Sequence, residues 1–334
     1  MEDNTLKFAG MNDAEVSTAI RQEVLNAPEG SVCKFASESG TSYIRMRVYE
    51  EGFARKILPV QTITNDDLSQ FVAGENLGVI VEVEPTQVLS TSVPFDVAAP
   101  TEYYWGGRTI VPLFDIKTPR LQHNIKRLAT YKMDLRKIKM DLALKSITKQ
   151  EDWELITLAN QAVNVTSNSF AFTGGISRNT VTEMSKIMGK NSLNNGIALT
   201  NDSTFRDFMK LGQNAWGGPG AEKMLREGPK ALGEPVMAGM KWLSTFKADI
   251  VNDNDIWLFT EPDYLGRFLE YQAPTLYVKR EEDRITMNAN ETIGMAIINT
   301  AGVAKVQLFN GVYAASNTSY PLPVPVQKTV QPQS

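Results

Sequence analysis

The chain has little of what catalytic sites are usually made from. It holds one histidine, His123, and one cysteine, Cys33, in 334 residues. A lone cysteine excludes an intrachain disulfide, which suits a reducing compartment, and a single thiol is most often a small buried hydrophobe. Metal centres normally take several His or Cys ligands or clustered carboxylates. Here the adjacent acids, Asp66-Asp67 and Glu281-Glu282-Asp283, read as solvated turns. Any Ser-His-Asp or Cys-His arrangement would have to use His123, whose neighbours are basic and which reads as a surface residue. Phosphate loops are missing too. Met188-Gly189-Lys190-Asn191 carries Gly-Lys, but Met184 stands where the upstream glycine belongs and Asn191 where Ser or Thr belongs. Gly218 and Gly220 begin a dinucleotide pattern that Lys223 breaks. No catalytic, cofactor-binding or metal-binding residue is assigned, and no cofactor is expected. A carboxylate-pair hydrolase stays open, with no pair singled out.

Charge of one sign is also scarce. The formal net charge is −4, so contact with nucleic acid would be local and weak. No apolar run approaches the ~20 residues needed to span a bilayer. The N-terminal MEDNTLKFAG has no basic start and no apolar segment, so no export signal is expected there. Apolar residues make up 42% and charged residues 22%, ordinary for a globular chain long enough to bury a core.

Residues 12–27 read as a helix, capped by Asn12 with Glu15 at the capping-box position and closed by Pro28 and Gly30. In 42–60, Ile44, Met46 and Val48 alternate with Arg45, Arg47 and Tyr49, the period of a strand with one wet face, followed by Arg55-Lys56. A short helix is expected at 64–71 and a strand at 79–83. Residues 94–116 read as a long hairpin with Tyr103, Tyr104 and Trp105 beside the Gly106-Gly107 turn. Those rings belong either to a core meander or to an arm lying on another subunit, since exposed aromatics are costly for a monomer.

Thr118 and Pro119 read as the cap and first residue of a long helix to Ser146, with Leu121, Ile125, Leu128, Leu135, Ile138 and Leu142 on one face. Its other face is basic, either solvated or touching nucleic acid or an acidic partner. A second helix is expected at 150–163. Ile197-Ala198-Leu199 reads as a buried strand, Ile256–Phe259 as a strand, 205–211 and 260–269 as short helices, and Tyr277 onward as β. The Pro-rich end, PLPVPVQKTVQPQS, reads as an extended tail.

In that order the parts resemble the major capsid proteins of tailed bacteriophages, with the Hong Kong 97-type fold. GIALTNDSTFRDFMKL (196–211), GEPVMAG (233–239) and ETIGMAIINTAGVAKVQLF (291–309) carry the resemblance, which covers roughly 42–309. It implies an α+β fold with an N-terminal arm (1–50) and an extended E-loop (86–111). A peripheral P-domain (51–85, 112–163 and 272–315) would contain a spine helix (119–146). An apical A-domain (164–271) and a C-terminal tail (316–334) complete the division. It implies hexamers and pentamers closing an icosahedral head around double-stranded DNA. That DNA would be held by weak non-specific contact, with a portal and possible scaffolding and decoration proteins as partners. Such a chain would be a virion component assembled in the host bacterial cytoplasm, with no membrane partner and no enzymatic role. An encapsulin-like compartment shell shares the fold and is the alternative; a tail or baseplate protein is a further one. Subunit-interface residues expected on this reading are Arg45, Arg47, Arg55 and Lys56, pairing with a neighbour's acids, and Tyr103, Tyr104 and Trp105. No lysine lies between Thr64 and Ile116, so no E-loop lysine cross-link is expected. The short N-terminus implies a separate scaffold or none.

Overall fold

A computed structural model describes residues 30–71, 76–83, 107–124, 135–173, 176–191, 193–207, 236–281 and 283–309, with 18–19, 22–23 and 26–28 before them. In chain order the elements are α1 (Lys34–Glu51), α2 (Ala54–Ile57), β1 (Val60–Thr62), β2 (Ser69–Phe71), β3 (Asn76–Val83), β4 (Gly107–Pro112), β5 (Phe114–Lys117), β6 (Leu121–Asn124) and α3 (Leu135–Thr166). Then come β7 (Ser169–Thr173), α4 (Arg178–Lys190), β8 (Asn195–Asn201), α5 (Asp202–Arg206), β9 (Val236–Met237), β10 (Met240–Thr245) and β11 (Asp255–Thr260). The last are α6 (Pro262–Leu265), β12 (Gly266–Glu281), β13 (Arg284–Ile297) and β14 (Val303–Phe309).

Three sheets result. One runs β1-β12-β13-β5, with β6 also on β13. A second runs β7-β14-β11-β8-β10-β9, and the third is β2-β3-β4. The hairpin β12/β13 closes with Glu281 paired to Arg284 and Asp283 in a turn, as the acidic run suggested. Two boundaries differ from expectation. The return to the first sheet begins at Gly266, and β14 leaves it again to pair in parallel with β7 and antiparallel with β11.

The long helix sits later in the chain than its cap signal indicated. Leu121–Asn124, expected inside it, is strand paired with Arg284–Met287. Thr118 does not cap it; its hydroxyl accepts from the Ala289 N–H at 2.8 Å. Residues 125–134 lie outside the described set. From Leu135 the helix runs unbroken to Thr166, so the expected second helix is its continuation, and 32 residues span about 48 Å. Met140, Ala143, Leu144, Ile147, Leu155, Ala159 and Ala162 are buried at helical spacing.

The segment expected as a strand around Ile44 is helix α1. Alternation over five residues did not discriminate a strand from a helix. The longer pattern does: Ala36, Gly40 and Ile44 are buried at spacings of four and lie against β12. A Cβ on Gly40 would stand 2.2 Å from Leu276 Cδ2, so the glycine lets α1 lie close to the strand. One turn apart, Ser37 and Thr41 accept from the N–H groups of Val278 and Leu276, both at 3.0 Å. This covers an open strand edge with helix side chains. The helical part of the expected N-terminal arm thus lies against the subunit's own β12 through Ala36, Gly40 and Ile44.

Both faces of the second sheet are covered, so β11 is buried along its whole length. Trp257 and Phe259 share a core with Leu155, Ile156 and Ala159 of α3. Ile256 and Leu258 point the other way and join Met184, Ile187 and Met188 of α4. Each such large apolar side chain contributes about 1.5–3 kcal/mol on burial. Asn201 caps α5 by accepting from Ser203 N–H at 3.1 Å, in the stretch where that helix was expected to start. The expected helix at 64–71 is a single 3-10 turn, Asn65–Asp67, followed by β2. That expected at 260–269 is the four-residue α6, because β12 claims the rest.

Candidate functional site: a buried charge cluster and an exposed hairpin

The densest polar chemistry among the described residues lies inside the subunit, where α2, α3, β12 and β13 meet. The four-residue helix α2 is too short to hold itself together. Asp152 of α3 anchors it, with Oδ1 accepting from the N–H groups of Phe53 (3.0 Å) and Ala54 (2.8 Å) at its N-terminus. Asp152 Oδ2 pairs with Lys247 Nζ at 2.5 Å, and that amine also donates to Thr148 O at 3.2 Å. Burial pushes the Asp152 carboxyl up to about 6 despite the lysine.

Anchored this way, α2 points Arg55 into the protein. Its Nε and Nη2 donate to Glu151 Oε1 at 2.9 and 2.6 Å. Nη2 also donates to Glu291 Oε2 at 3.1 Å, and Nη1 to Glu270 Oε2. The guanidinium lies 4.8 Å from the centre of the Phe268 ring. The Arg55, Glu151 and Glu291 side chains are fully buried and that of Glu270 is 10% exposed. Burial works against the Arg55 charge, but the charge of Glu151 and hydrogen bonds to Glu151 and Glu270 outweigh it, and its pKa is raised. Burial raises Glu151, against the pull of Arg55. Burial and then the charge of Glu151 raise Glu291 to about 9. The cluster ties helix to sheet.

Arg55 was expected on a wet surface facing a neighbour's acids. It is buried, and the acids that bind it belong to its own chain. Lys56, one residue on, is exposed. Arg45 is exposed on α1 and donates to Pro274 O at 3.1 Å. Arg47 is on α1, but its side chain is outside the described set, as are Tyr103, Tyr104 and Trp105. His123 is on strand β6 opposite Ile285, not on a helix. The cluster acids were missed, although α3 carried a signal: Glu151-Asp152 interrupts the apolar stripe between Ile147 and Leu155. For Glu270 and Glu291 nothing local distinguished a buried acid from a wet one.

Of the expected hairpin at 94–116, residues 94–106 lie outside the described set; from Gly107 the chain forms β4, which pairs antiparallel with β3 from Gly78↔Pro112 to Val83↔Gly107. Val79 and Val111 face inward with Ile63 and Leu269. Ile80 and Ile110, directly paired on the other face, are 37% and 46% exposed. An apolar cross-strand pair turned outward is a candidate contact for another molecule.

The architecture has counterparts among solved structures. The chain matches one from Microbacterium phage Oxtober96 at 10% identity, over 78% of this chain and 91% of that one, with a TM-score of 0.54. It matches the capsid structure of cyanophage P-SCSP1u at 11% identity, over 86% and 91%, with a TM-score of 0.51. The chain has a phage capsid fold. The mature capsid of bacteriophage PhiM1 aligns at 8% identity, over 78% and 88%, with a TM-score of 0.50. No protein-family model and no curated protein matches the chain. At such identities the likeness lies in the path of the backbone, and the α+β capsid fold implied by the sequence motifs is the fold observed.

Proposed function

We propose that this chain is a major capsid protein that assembles with copies of itself into hexamers and pentamers, closing an icosahedral phage head around double-stranded DNA. The observation that carries the reading is a capsid fold followed along at least 78% of this chain and 88% of each phage chain compared above. On this reading the role is structural, not enzymatic, and the protein is a virion component assembled in the host cytoplasm. A portal and decoration proteins are its further partners, assembly uses a separate scaffold or none, and packaged DNA is touched weakly because the chain's net charge is −4.

The domain division is carried over with moved boundaries. The five-stranded sheet with α1 and α2 forms the peripheral part, the six-stranded sheet with α4 the apical part, and α3, packed against strands of both sheets, the spine. The E-loop springs from β3 and β4. Ile80 and Ile110, with Tyr103, Tyr104 and Trp105, form its contact surface on a neighbour. Arg45, Arg47 and Lys56 supply charge contacts, while Arg55 acts inside the subunit. Heterologous contacts of this kind close into rings, and each can be modest because it is repeated.

Negative-stain images of the purified protein, with a nuclease-protection assay on particles recovered from infected cells, test the reading. Closed shells holding protected DNA are expected. Shells that hold protein cargo would favour the compartment reading, and a monomer at high concentration would overturn both.

A further inference from the structure

Three buried carboxylates surround the Arg55 guanidinium, and two of their oxygens are left over. Glu151 binds Arg55 through Oε1, and Glu291 through Oε2. The opposite oxygens, Glu151 Oε2 and Glu291 Oε1, are buried without a protein donor. Both acids accept from the same Arg55 nitrogen, Nη2, at 2.6 and 3.1 Å, which holds the two carboxylates side by side. Two carboxylates repel at that range, whereas an acid and a carboxylate bond. The remaining charged groups around them add no donor to these two oxygens. Glu270 of β12 is engaged by Arg55, Asp152 of α3 is paired with Lys247, and the residue of β5 opposite Glu291 is Ile116.

We propose that Glu151 and Glu291 share one proton, making a pH-sensitive clasp between α3 and β13 that opens when alkaline solution removes it. The proton satisfies both unpartnered oxygens and reduces three negative charges around one positive charge to two. Glu291 is raised to about 9 by burial and by the charge of Glu151, so the proton is held at neutral pH. The sign follows from linkage. The folded chain keeps a proton that the unfolded chain loses near 4.5, so stability declines as pH rises until about 9 is passed. In that window the unfolding constant grows by about tenfold per pH unit. The clasp belongs to the single subunit and does not depend on the shell reading.

The test uses the full chain. Infrared spectra in D2O at pH 7.5 should show the C=O stretch of a protonated carboxylic acid, lost above pH 10 and missing from E291Q and from E151Q, whose amides can donate in its place. Between pH 7 and 9 the wild-type unfolding constant should climb about tenfold per unit more steeply than that of E291Q. A wild-type spectrum without the acid band, or one whose band survives in both variants, overturns the proposal, as do parallel pH profiles. If E291Q does not fold, the wild-type spectrum and E151Q decide it.

Discussion

Replacing Arg55 with methionine keeps an unbranched stem against Phe268 and removes the guanidinium that binds Glu151, Glu270 and Glu291. Breaking one side of a buried ion pair costs about 3–5 kcal/mol, because the surviving charge is stranded away from water. Proton uptake leads to a similar figure. Holding one further glutamate protonated at pH 7, against an ordinary value of 4.5, costs roughly 3 kcal/mol at about 1.4 kcal/mol per unit. R55M is therefore expected to lose about 3–5 kcal/mol at neutral pH, a large share of the 5–15 kcal/mol typical of a domain. The sign with pH is set by the same acids. Without the arginine the folded pKa values of Glu151 and Glu291, already raised, rise further above the unfolded ones, so the loss shrinks as pH falls toward 5 and is full near neutrality. Urea denaturation of the unassembled chain at pH 5 and 7.5 measures this. Adding E151Q and E270Q to R55M should recover at least half of the loss, by removing the stranded charges. A deficit below about 1 kcal/mol at pH 7.5, within the range of an exposed pair, would refute the argument, as would a deficit equal at both pH values.

Asp152 is raised from 3.8 to about 6, so it should contribute a fall in stability of up to roughly 3 kcal/mol as pH rises from 4 to 6; D152N keeps the acceptor for Phe53 and Ala54 and should remove that part of the decline in melting temperature, leaving the part due to Glu291. A Cβ on Gly196 would stand 2.3 Å from the Thr260 carbonyl oxygen, backbone that cannot swing aside, so G196A should cost about 1–3 kcal/mol in urea unfolding. Serine at both Ile80 and Ile110 should leave the subunit's stability within about 1 kcal/mol, as expected for exposed sites, while lowering the yield of closed particles in sedimentation. The same assay applied to Y103S/Y104S/W105S should show soluble chain and few shells; normal particle yield from either variant would remove that surface from the assembly contact.

Local pattern alone determined much of this protein. The strands at 197–199 and 256–259 and the acidic turn before Arg284 were legible because each is specified by neighbours in sequence. So was the order of parts that led to a capsid fold. Patterns shared by two structures were not decided locally. Five alternating residues fit both a strand and α1, and what selected the helix was the strand edge it covers, more than two hundred residues away. Thr118-Pro119 is a valid helix start, yet β13 draws Leu121–Asn124 into a sheet, since a ladder along an existing strand outcompetes a turn of isolated helix. The fate of Arg55 depended most on tertiary structure. An arginine beside a lysine reads as surface, and only the convergence of Glu151, Glu270 and Glu291 from three distant elements supplies enough negative charge to hold it inside. Solvation is a property of the whole fold, so no window of sequence contains it.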